Sequence, residues 1–379
     1  MNNGGGKLVV LAAGGTGGHL FPAQALAETL VTRGYRVHLM TDERVREYGK
    51  TFPAEKTHIV QSASPSLSDP AGLARRLWKL FSGYLAAKSI LREEKPLAVV
   101  GFGGYPSFPP IYAAAALGIP SAVHEQNAVL GRANKLLSKK VNVVAASFAS
   151  MIGLPNAAKA KLVVTGNPVR AVALKEQAAP YPALGQGKPF NLVVFGGSQG
   201  AKFFSDFMPQ VFAAIPEIMR KNIVLTQQCR EEDLSRVKAA YAELGVGAEL
   251  KAFFGDMPKR IAGSHLVISR SGASTIAELG VIGRPAIMVP LPHAIDNDQL
   301  RNAQSFADAG AGWVCQQKDL VPQEFAILLE RLISDHAGLK KAKESALSHG
   351  KPDAAERLGD LVEQMIVRKS ATKLERQKA

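Results

Sequence analysis

The sequence predicts an α/β protein made of two Rossmann-like parallel-sheet domains facing across a cleft. Three observations carry that prediction. Short apolar runs alternate with helical stretches along nearly the whole chain. An apolar strand, a glycine-rich loop and a helix follow one another at the start of each half. And 379 residues, of which 46% are apolar, fit two buried cores better than one.

Leu8-Val9-Val10-Leu11-Ala12-Ala13 reads as a buried first strand, and a helix is expected near 22–33, closing at Arg33-Gly34. Tyr35 to Met40 is the second strand. From Val60 to Pro70 the chain is rich in serine and proline and reads as irregular. A helix is expected from about 73 to 94, then a strand at 98–101, a helix at 107–117, and strands at 121–125 and 141–146. Pro and Gly through Gly187 place the domain crossing near 166–188. The second series expects strands at 190–195, 222–226, 249–252, 265–269, 285–289 and 312–314. Its helices fall near 201–214, 231–244, 256–263, 272–282, 297–309, 322–334 and 336–347. The domains are therefore drawn as 1–168 and 169–351, with a basic helix near 352–369 packing back on the first.

No apolar run approaches the roughly 18 residues that span a bilayer. The first residues lead straight into a strand, without the pattern of a secretory leader, so a cytosolic protein is expected. Cys229 and Cys315 are too few and too far apart for a disulfide framework or a CxxC metal pair. The net charge of +14 calls for an anionic partner, whether nucleic acid, a phosphorylated substrate or a membrane. No nucleic-acid-binding module accompanies it, so no nucleic acid partner is expected.

The first glycine loop is Gly14-Gly15-Thr16-Gly17-Gly18-His19. Its glycines let backbone turn tightly and approach a ligand, and the helix that follows offers free N–H groups to an anion. Gly15-Thr16-Gly17 half fits a dinucleotide fingerprint, but Leu20 fills the third glycine place, and Asp42 reads as a solvated loop acid rather than a ribose ligand. His19 sits on the loop itself, where an imidazole of near-neutral pKa can take a proton from a hydroxyl.

Gly14-Gly15-Thr16-Gly17-Gly18-His19-Leu20-Phe21-Pro22-Ala23 resembles the N-terminal signature of the MurG family, bacterial UDP-GlcNAc: lipid I N-acetylglucosaminyltransferases. Further motifs follow in that family's order: Gly101-Phe102-Gly103-Gly104-Tyr105, His124-Glu125-Gln126-Asn127 with Gly131 and Asn134, Thr165-Gly166-Asn167-Pro168-Val169-Arg170, Gly196-Gly197-Ser198-Gln199-Gly200-Ala201, Arg270 through Glu278, and Asp298-Gln299 with Asn302-Ala303. The resemblance covers about residues 7–350. It implies the two-domain GT-B fold, with the lipid-linked acceptor on the N-terminal domain and the UDP-sugar on the C-terminal one. The implied reaction is inverting transfer of GlcNAc to the C4 hydroxyl of MurNAc in undecaprenyl-pyrophosphoryl-MurNAc-pentapeptide (lipid I), giving lipid II without a cofactor.

The resemblance also implies roles. Ser198 and Arg170 bind the donor diphosphate, Glu278 the ribose hydroxyls, and Gln299 with Asp298 the sugar. Ala273, Ser274, Thr275 and Ile276 offer backbone at a helix start, and Phe254 packs on the base. Asn127, Thr16, Gly17 and Gly18 reach the donor from the N-terminal side. The acceptor diphosphate is assigned to Gly14, Gly15, Gly103, Gly104, Tyr105 and His124. His19 is the first choice of general base and Glu125 the second. Asp296-Asn297-Asp298 has the spacing of a metal-binding D-x-D pair, but it aligns with the sugar-reading motif, so no metal is expected.

The helix at 73–95 carries Leu73, Leu77, Trp78, Leu80, Phe81, Tyr84 and Leu85 on one broad arc at 100° per residue, with Arg75, Arg76 and Lys79 on the other side. Arg132, Lys135, Lys139 and Lys140 add a second basic group. That composition suits an anionic membrane surface, and the resemblance implies peripheral attachment to the cytoplasmic face of the inner membrane. An ordinary core-facing helix is the competing reading. A UDP-GlcNAc epimerase on the same fold and a non-enzymatic UDP-sugar sensor are the functional alternatives.

Overall fold

The computed structural model describes residues 6–45, 52–64, 70–177, 179–185, 187–292 and 295–378, without the side chains of 70–71, 198–201, 295, 372–374 and 376–378. The chain divides into two compact units. One runs to Arg170 and resumes at Asp353; the other is Ala171–Pro352.

In the N-terminal unit, β1 (Leu8–Ala12), β2 (Arg36–Thr41), β3 (Lys56–Ile59), β4 (Ala98–Gly101), β5 (Ser121–Glu125), β6 (Val143–Ala146) and β7 (Leu162–Val164) form a seven-stranded sheet. Its order is β3-β2-β1-β4-β5-β6-β7 and every pairing is parallel. Parallel strands must be covered on both faces, which explains the unbroken apolar runs of β1 and β4. On one face, α1 (Gly17–Thr32) packs through Leu20, Ala23, Leu26 and Leu30. The helix Ala354–Lys378 returns to the same face through Leu358, Leu361, Val362 and Met365. Arg33 ties the two helices, 2.8 Å from Asp360 and 3.1 Å from Glu363. The other face is covered by α2 (Pro70–Glu94) and α3 (Phe108–Ala116), and α4 (Arg132–Leu137) follows β5.

The C-terminal unit holds β8 (Phe190–Phe195), β9 (Ile223–Gln228), β10 (Ala248–Lys251), β11 (Leu266–Ser269), β12 (Ala286–Met288) and β13 (Gly312–Val314). They form a parallel sheet in the order β10-β9-β8-β11-β12-β13. The helices that concern its loops are α5 (Gly197–Ala214), α6 (Ala273–Ile282) and α7 (Asp298–Asp308).

Several boundaries depart from expectation for identifiable reasons. α1 starts at Gly17 rather than near 22, and α5 at Gly197 rather than near 201. Glycine is a poor helix former, and Pro22 imitates a first helical residue, so both starts read late. β3 falls on Lys-Thr-His-Ile, which has no apolar run because it is a polar edge strand. α2 begins at Pro70, and the short α4 was not foreseen. The final helix runs on to Lys378.

Candidate active site

In each sheet the strand order reverses beside the first strand, between β1 and β4 in one unit and between β8 and β11 in the other. Ligands of open α/β sheets bind where the loops leave such a reversal on its carboxyl side. The glycine motifs occupy those places. Gly14–Gly18 follow β1, Phe102–Tyr105 follow β4, Gly196 and Gly197 follow β8, and Arg270–Gly272 follow β11.

In the N-terminal unit the two loops converge on one imidazole. A side chain's first carbon placed at Gly14, Gly103 or Gly104 would lie 3.3 Å from a ring atom of His19. Gly103 and Gly104 also sit at φ of 85° and 70°, which other residues rarely adopt. Thr16 precedes α1 in extended conformation with no side-chain cap, and the first turn holds no acid. His19 N already donates to Thr16 O at 3.1 Å, so Gly17 N and Gly18 N are the opening N–H groups at the positive end of a 16-residue helix. Thr16 and Gly18 are exposed, Gly17 and His19 half-buried.

A polar relay sets the proton on that imidazole. Gln126 Nε2 donates to the carbonyl oxygen of His124 at 3.1 Å. A carbonyl only accepts, so the amide is oriented with Oε1 toward His19 Nδ1, 3.2 Å away. The same Nε2 lies 3.1 Å from His124 Nδ1, and His124 Nε2 lies 2.9 Å from the carbonyl oxygen of Gly166. Each histidine thus has one tautomer that satisfies its neighbours: His124 carries its proton on Nε2 and His19 on Nδ1. The lone pair of His19 is then on Nε2. Burial pushes the His124 pKa down to about 4, so that ring is neutral at pH 7.

Two expectations change in the light of this geometry. His124, expected at the acceptor diphosphate, is completely buried with both ring nitrogens engaged, and Gln126 stands between it and His19. Glu125, the second choice of base, is 2% exposed and accepts from Asn127 N (3.1 Å), Gly131 N (2.9 Å) and Asn134 Nδ2 (2.9 Å). Burial raises its pKa, against those hydrogen bonds. Its carboxylate is occupied in fixing the loop that carries Asn127, which is half-buried. Tyr105 is half-buried in a short turn of helix after Gly104. Arg170 stacks its guanidinium 4.8 Å from the ring centre of Phe21, on α1.

In the C-terminal unit the corresponding loops are open. Nothing among the described residues lies within 4 Å of where a side chain would begin at Gly197 or Gly272. Gly197 has a φ of 67°, and Gly196 N donates to Gln228 Oε1 at 3.3 Å. The side chain of Ser198 lies outside the described residues. Gly272 leads into α6, where Ala273, Ser274 and Thr275 are half-exposed and Ile276 and Glu278 are buried. Ser274 Oγ is buried with no hydrogen-bond partner among the described residues. Ser271 Oγ donates to Gln299 O at 2.8 Å and Asn302 Nδ2 to Ser271 O at 3.1 Å, fastening the start of α7 to the β11 loop. Gln299 Oε1 accepts from Leu291 N at 3.0 Å, and Asp298 Oδ1 accepts from Gln299 N at 2.7 Å. Phe254 is 5% exposed, with the Arg260 guanidinium 4.4 Å from its ring centre.

The helix α2 divides its apolar arc. Leu73, Leu80 and Tyr84 are half-buried, whereas Leu77, Trp78, Phe81 and Leu85 are exposed, Trp78 by 66%. Rings follow one another from Trp78 to Phe81 (5.9 Å between centres), Tyr84 (6.4 Å) and Tyr112 of α3 (5.6 Å). Arg75, Lys139 and Lys140 are exposed; Arg76 and Lys79 are half-buried, and Arg76 Nη1 donates to Ser64 O at 3.3 Å.

Residues 9–146 match the Glycosyltransferase family 28 N-terminal domain and residues 191–358 its C-terminal domain. Fold and site together define a glycosyltransferase of the GT-B class, two parallel-sheet units each with its own loop cluster. The chain is 49% identical over 372 residues to the UDP-N-acetylglucosamine--N-acetylmuramyl-(pentapeptide) pyrophosphoryl-undecaprenol N-acetylglucosamine transferase of Allorhizobium ampelinum, covering 98% of this chain and 99% of that one. It is 48% identical over 362 residues to the transferase of the same name from Brucella suis biovar 1, covering 95% and 94%. The crystal structure of Acinetobacter baumannii MurG superposes with a TM-score of 0.76 at 29% identity, over 94% of this chain and 99% of that one. The chain belongs to the MurG family. A putative UDP-N-acetylglucosamine 2-epimerase from Listeria monocytogenes shares the fold alone, with a TM-score of 0.66 at 15% identity over 93% of this chain and 94% of that one.

Gln126 is the residue that sequence reasoning left without a role. The signal lay in a run of four polar residues, His124-Glu125-Gln126-Asn127, at the end of a buried strand. There an unpaired polar group is costly, and each of these needs a partner.

Proposed function

We propose that the protein transfers GlcNAc from UDP-GlcNAc to the C4 hydroxyl of MurNAc in lipid I, with inversion at the sugar carbon and no metal ion. The observation that carries the chemistry is the convergence of two glycine loops on His19, with its lone pair directed to Nε2. His19 Nε2 takes the proton of the C4 hydroxyl as that oxygen attacks C1 of GlcNAc. The bond from C1 to the diphosphate oxygen breaks, and UDP leaves with the electron pair. One displacement inverts the centre. The opening N–H groups of α1 and α5 and the Arg170 guanidinium supply positive potential for diphosphate, the work a metal performs in other sugar transferases.

The donor reading rests on the open space at Gly197 and Gly272 and on the unpartnered Ser274 hydroxyl at the start of α6. Glu278 takes the ribose hydroxyls, Asp298 and Gln299 the sugar, and Phe254 flanks the base. The acceptor diphosphate lies along Gly14, Gly15, Gly103 and Gly104. The lipid tail stays in the inner membrane's cytoplasmic leaflet, on which the exposed Trp78–Phe81 face and the cations Arg75, Lys139 and Lys140 dock the enzyme.

The test is a transfer assay with labelled UDP-GlcNAc and a short-chain lipid I analogue in excess EDTA. Label should enter a disaccharide-lipid product. His19→Ala should lower kcat by about 10²–10⁴-fold, the usual contribution of a general base, while donor affinity stays within about twofold. Conversion of UDP-GlcNAc to UDP-ManNAc without transfer would mean an epimerase on this fold. Activity abolished by EDTA while the chain stays folded, and restored by a divalent ion, would overturn the metal-free mechanism.

A further inference from the structure

A second cluster of chemistry-bearing side chains lies at the β3 edge of the N-terminal sheet. His38 on β2 and His58 on β3 share one face. His38 stands opposite Lys56 in the register, so His58 is one alternation further along that face. Glu94 reaches the same face from the last residue of α2. His38 Nδ1 is 3.4 Å from His58 Nε2 and 3.9 Å from Glu94 Oε2, and the three ligand atoms all lie within 4.8 Å of one another.

We propose that His38, His58 and Glu94 form a binding site for a divalent transition-metal ion of the zinc class. Two imidazole nitrogens and one carboxylate oxygen are the donors borderline ions prefer, and three protein ligands leave a position for water. A nitrogen separation of 3.4 Å is close to that of two ligands on one tetrahedral zinc, given bonds of about 2.0–2.1 Å.

The shell behind the ligands fits as well. His38 is completely buried, and its Nε2 has no hydrogen-bond partner among the described residues. Glu55 Oε2, which accepts from Arg36 Nε at 2.7 Å, lies 3.9 Å from that nitrogen. Ligation through Nδ1 would fix the proton on Nε2 and draw it toward Glu55, the carboxylate–histidine–metal arrangement that orients ligating imidazoles. Glu94 divides its oxygens: Oε1 accepts from Lys56 Nζ at 2.8 Å, while Oε2 faces the imidazole. Lys56 is more than half exposed and swings into water at little cost when the ion arrives.

The site lies apart from the glycine loops. His38 is opposite Val10 in the middle of β1, before the loop that begins beyond Ala13. Its role is to bridge β2, β3 and α2, which stabilises the edge strand against opening. It therefore goes beyond the transferase reading and leaves the metal-free displacement untouched.

The experiment measures zinc binding by dialysis and elemental analysis on the full chain at pH 7.5, with thermal unfolding alongside. Wild type should retain about one equivalent of zinc at this site and unfold at a higher temperature with zinc than with EDTA. His58→Ala, at a half-buried edge position, should lose that equivalent, and Glu94→Gln should bind about 10-fold or more weakly. Cobalt should give the visible bands of a low-coordinate site in wild type and not in His58→Ala. Equal zinc retention in wild type and both variants would assign the ion to other histidines and overturn the proposal. No retention by wild type, with unfolding indifferent to zinc, would leave only a hydrogen-bonded histidine pair. Transfer activity enters none of these readouts, so failure here and failure of the proposed reaction are separate results.

Discussion

The two units use one topology in opposite ways. Both sheets reverse strand order beside the first strand, and both place glycine loops at that reversal. In the N-terminal unit Gly14, Gly103 and Gly104 make room for the protein's own imidazole, with a ring atom of His19 3.3 Å from each would-be side chain. In the C-terminal unit the space at Gly197 and Gly272 is open among the described residues. Glycine therefore packs around an imidazole in one half and borders open space in the other. The same motif read from sequence has two physical meanings, and the difference is what occupies the concavity.

The largest effect that tests this division concerns the exposed aromatic face of α2 in the N-terminal unit. Reversing the charge of Arg75, Arg76 and Lys79 should weaken binding to anionic vesicles by roughly 10²-fold or more, at about 1 kcal/mol per basic residue near the surface. Donor affinity should not change. Unaltered vesicle binding would remove α2 as the docking face.

Next comes the open loop cluster of the other unit. Glu278→Ala should weaken UDP-GlcNAc binding by about 10- to 100-fold, the loss of charge-assisted hydrogen bonds of roughly 1.5–3 kcal/mol, with the KM for acceptor unchanged. A variant that instead raised the acceptor KM alone would reverse the assignment of substrates to units.

The third test is stability against pH. His124 has a folded pKa of about 4, below the ordinary histidine value of about 6.5, so the unfolded chain binds the extra proton first as pH falls. Its stabilising contribution is complete above about pH 6.5 and is lost progressively down to about pH 4. Between pH 7.5 and pH 5 the loss is of order 2 kcal/mol. Glu125, whose pKa burial raises, works in the opposite sense. The discriminating measurement is therefore the difference in pH-dependent unfolding between wild type and His124→Asn, which should flatten the acid slope.

The smallest effect isolates the relay. Gln126→Ala should lower kcat by about tenfold, as expected of a group that orients the base, with both KM values unchanged. An effect on donor KM would mean that Gln126 serves binding rather than the tautomer of His19.

Much of the architecture was legible because parallel strands buried on both faces leave apolar runs, and β1, β4, β8 and β11 all carry them. β3 was illegible because an edge strand has no such run, and the starts of α1 and α5 were obscured by glycine and proline. The glycine loops, His19, Glu278 and Gln299 were readable as candidates through motif and spacing. The division of labour within His124-Glu125-Gln126-Asn127 was not. Three of these four side chains make hydrogen bonds whose partners lie up to 107 residues away.

By itself, then, the sequence determined two α/β halves, the glycine loops that serve them and the family to be expected, because periodicity and local backbone freedom are properties of short segments. Only the tertiary structure decided that Glu125 fixes a loop, that His124 stands behind Gln126, and that His38, His58 and Glu94 meet at a sheet edge. Burial and hydrogen-bond satisfaction depend on residues distant in sequence, and they select which polar groups occupy one another.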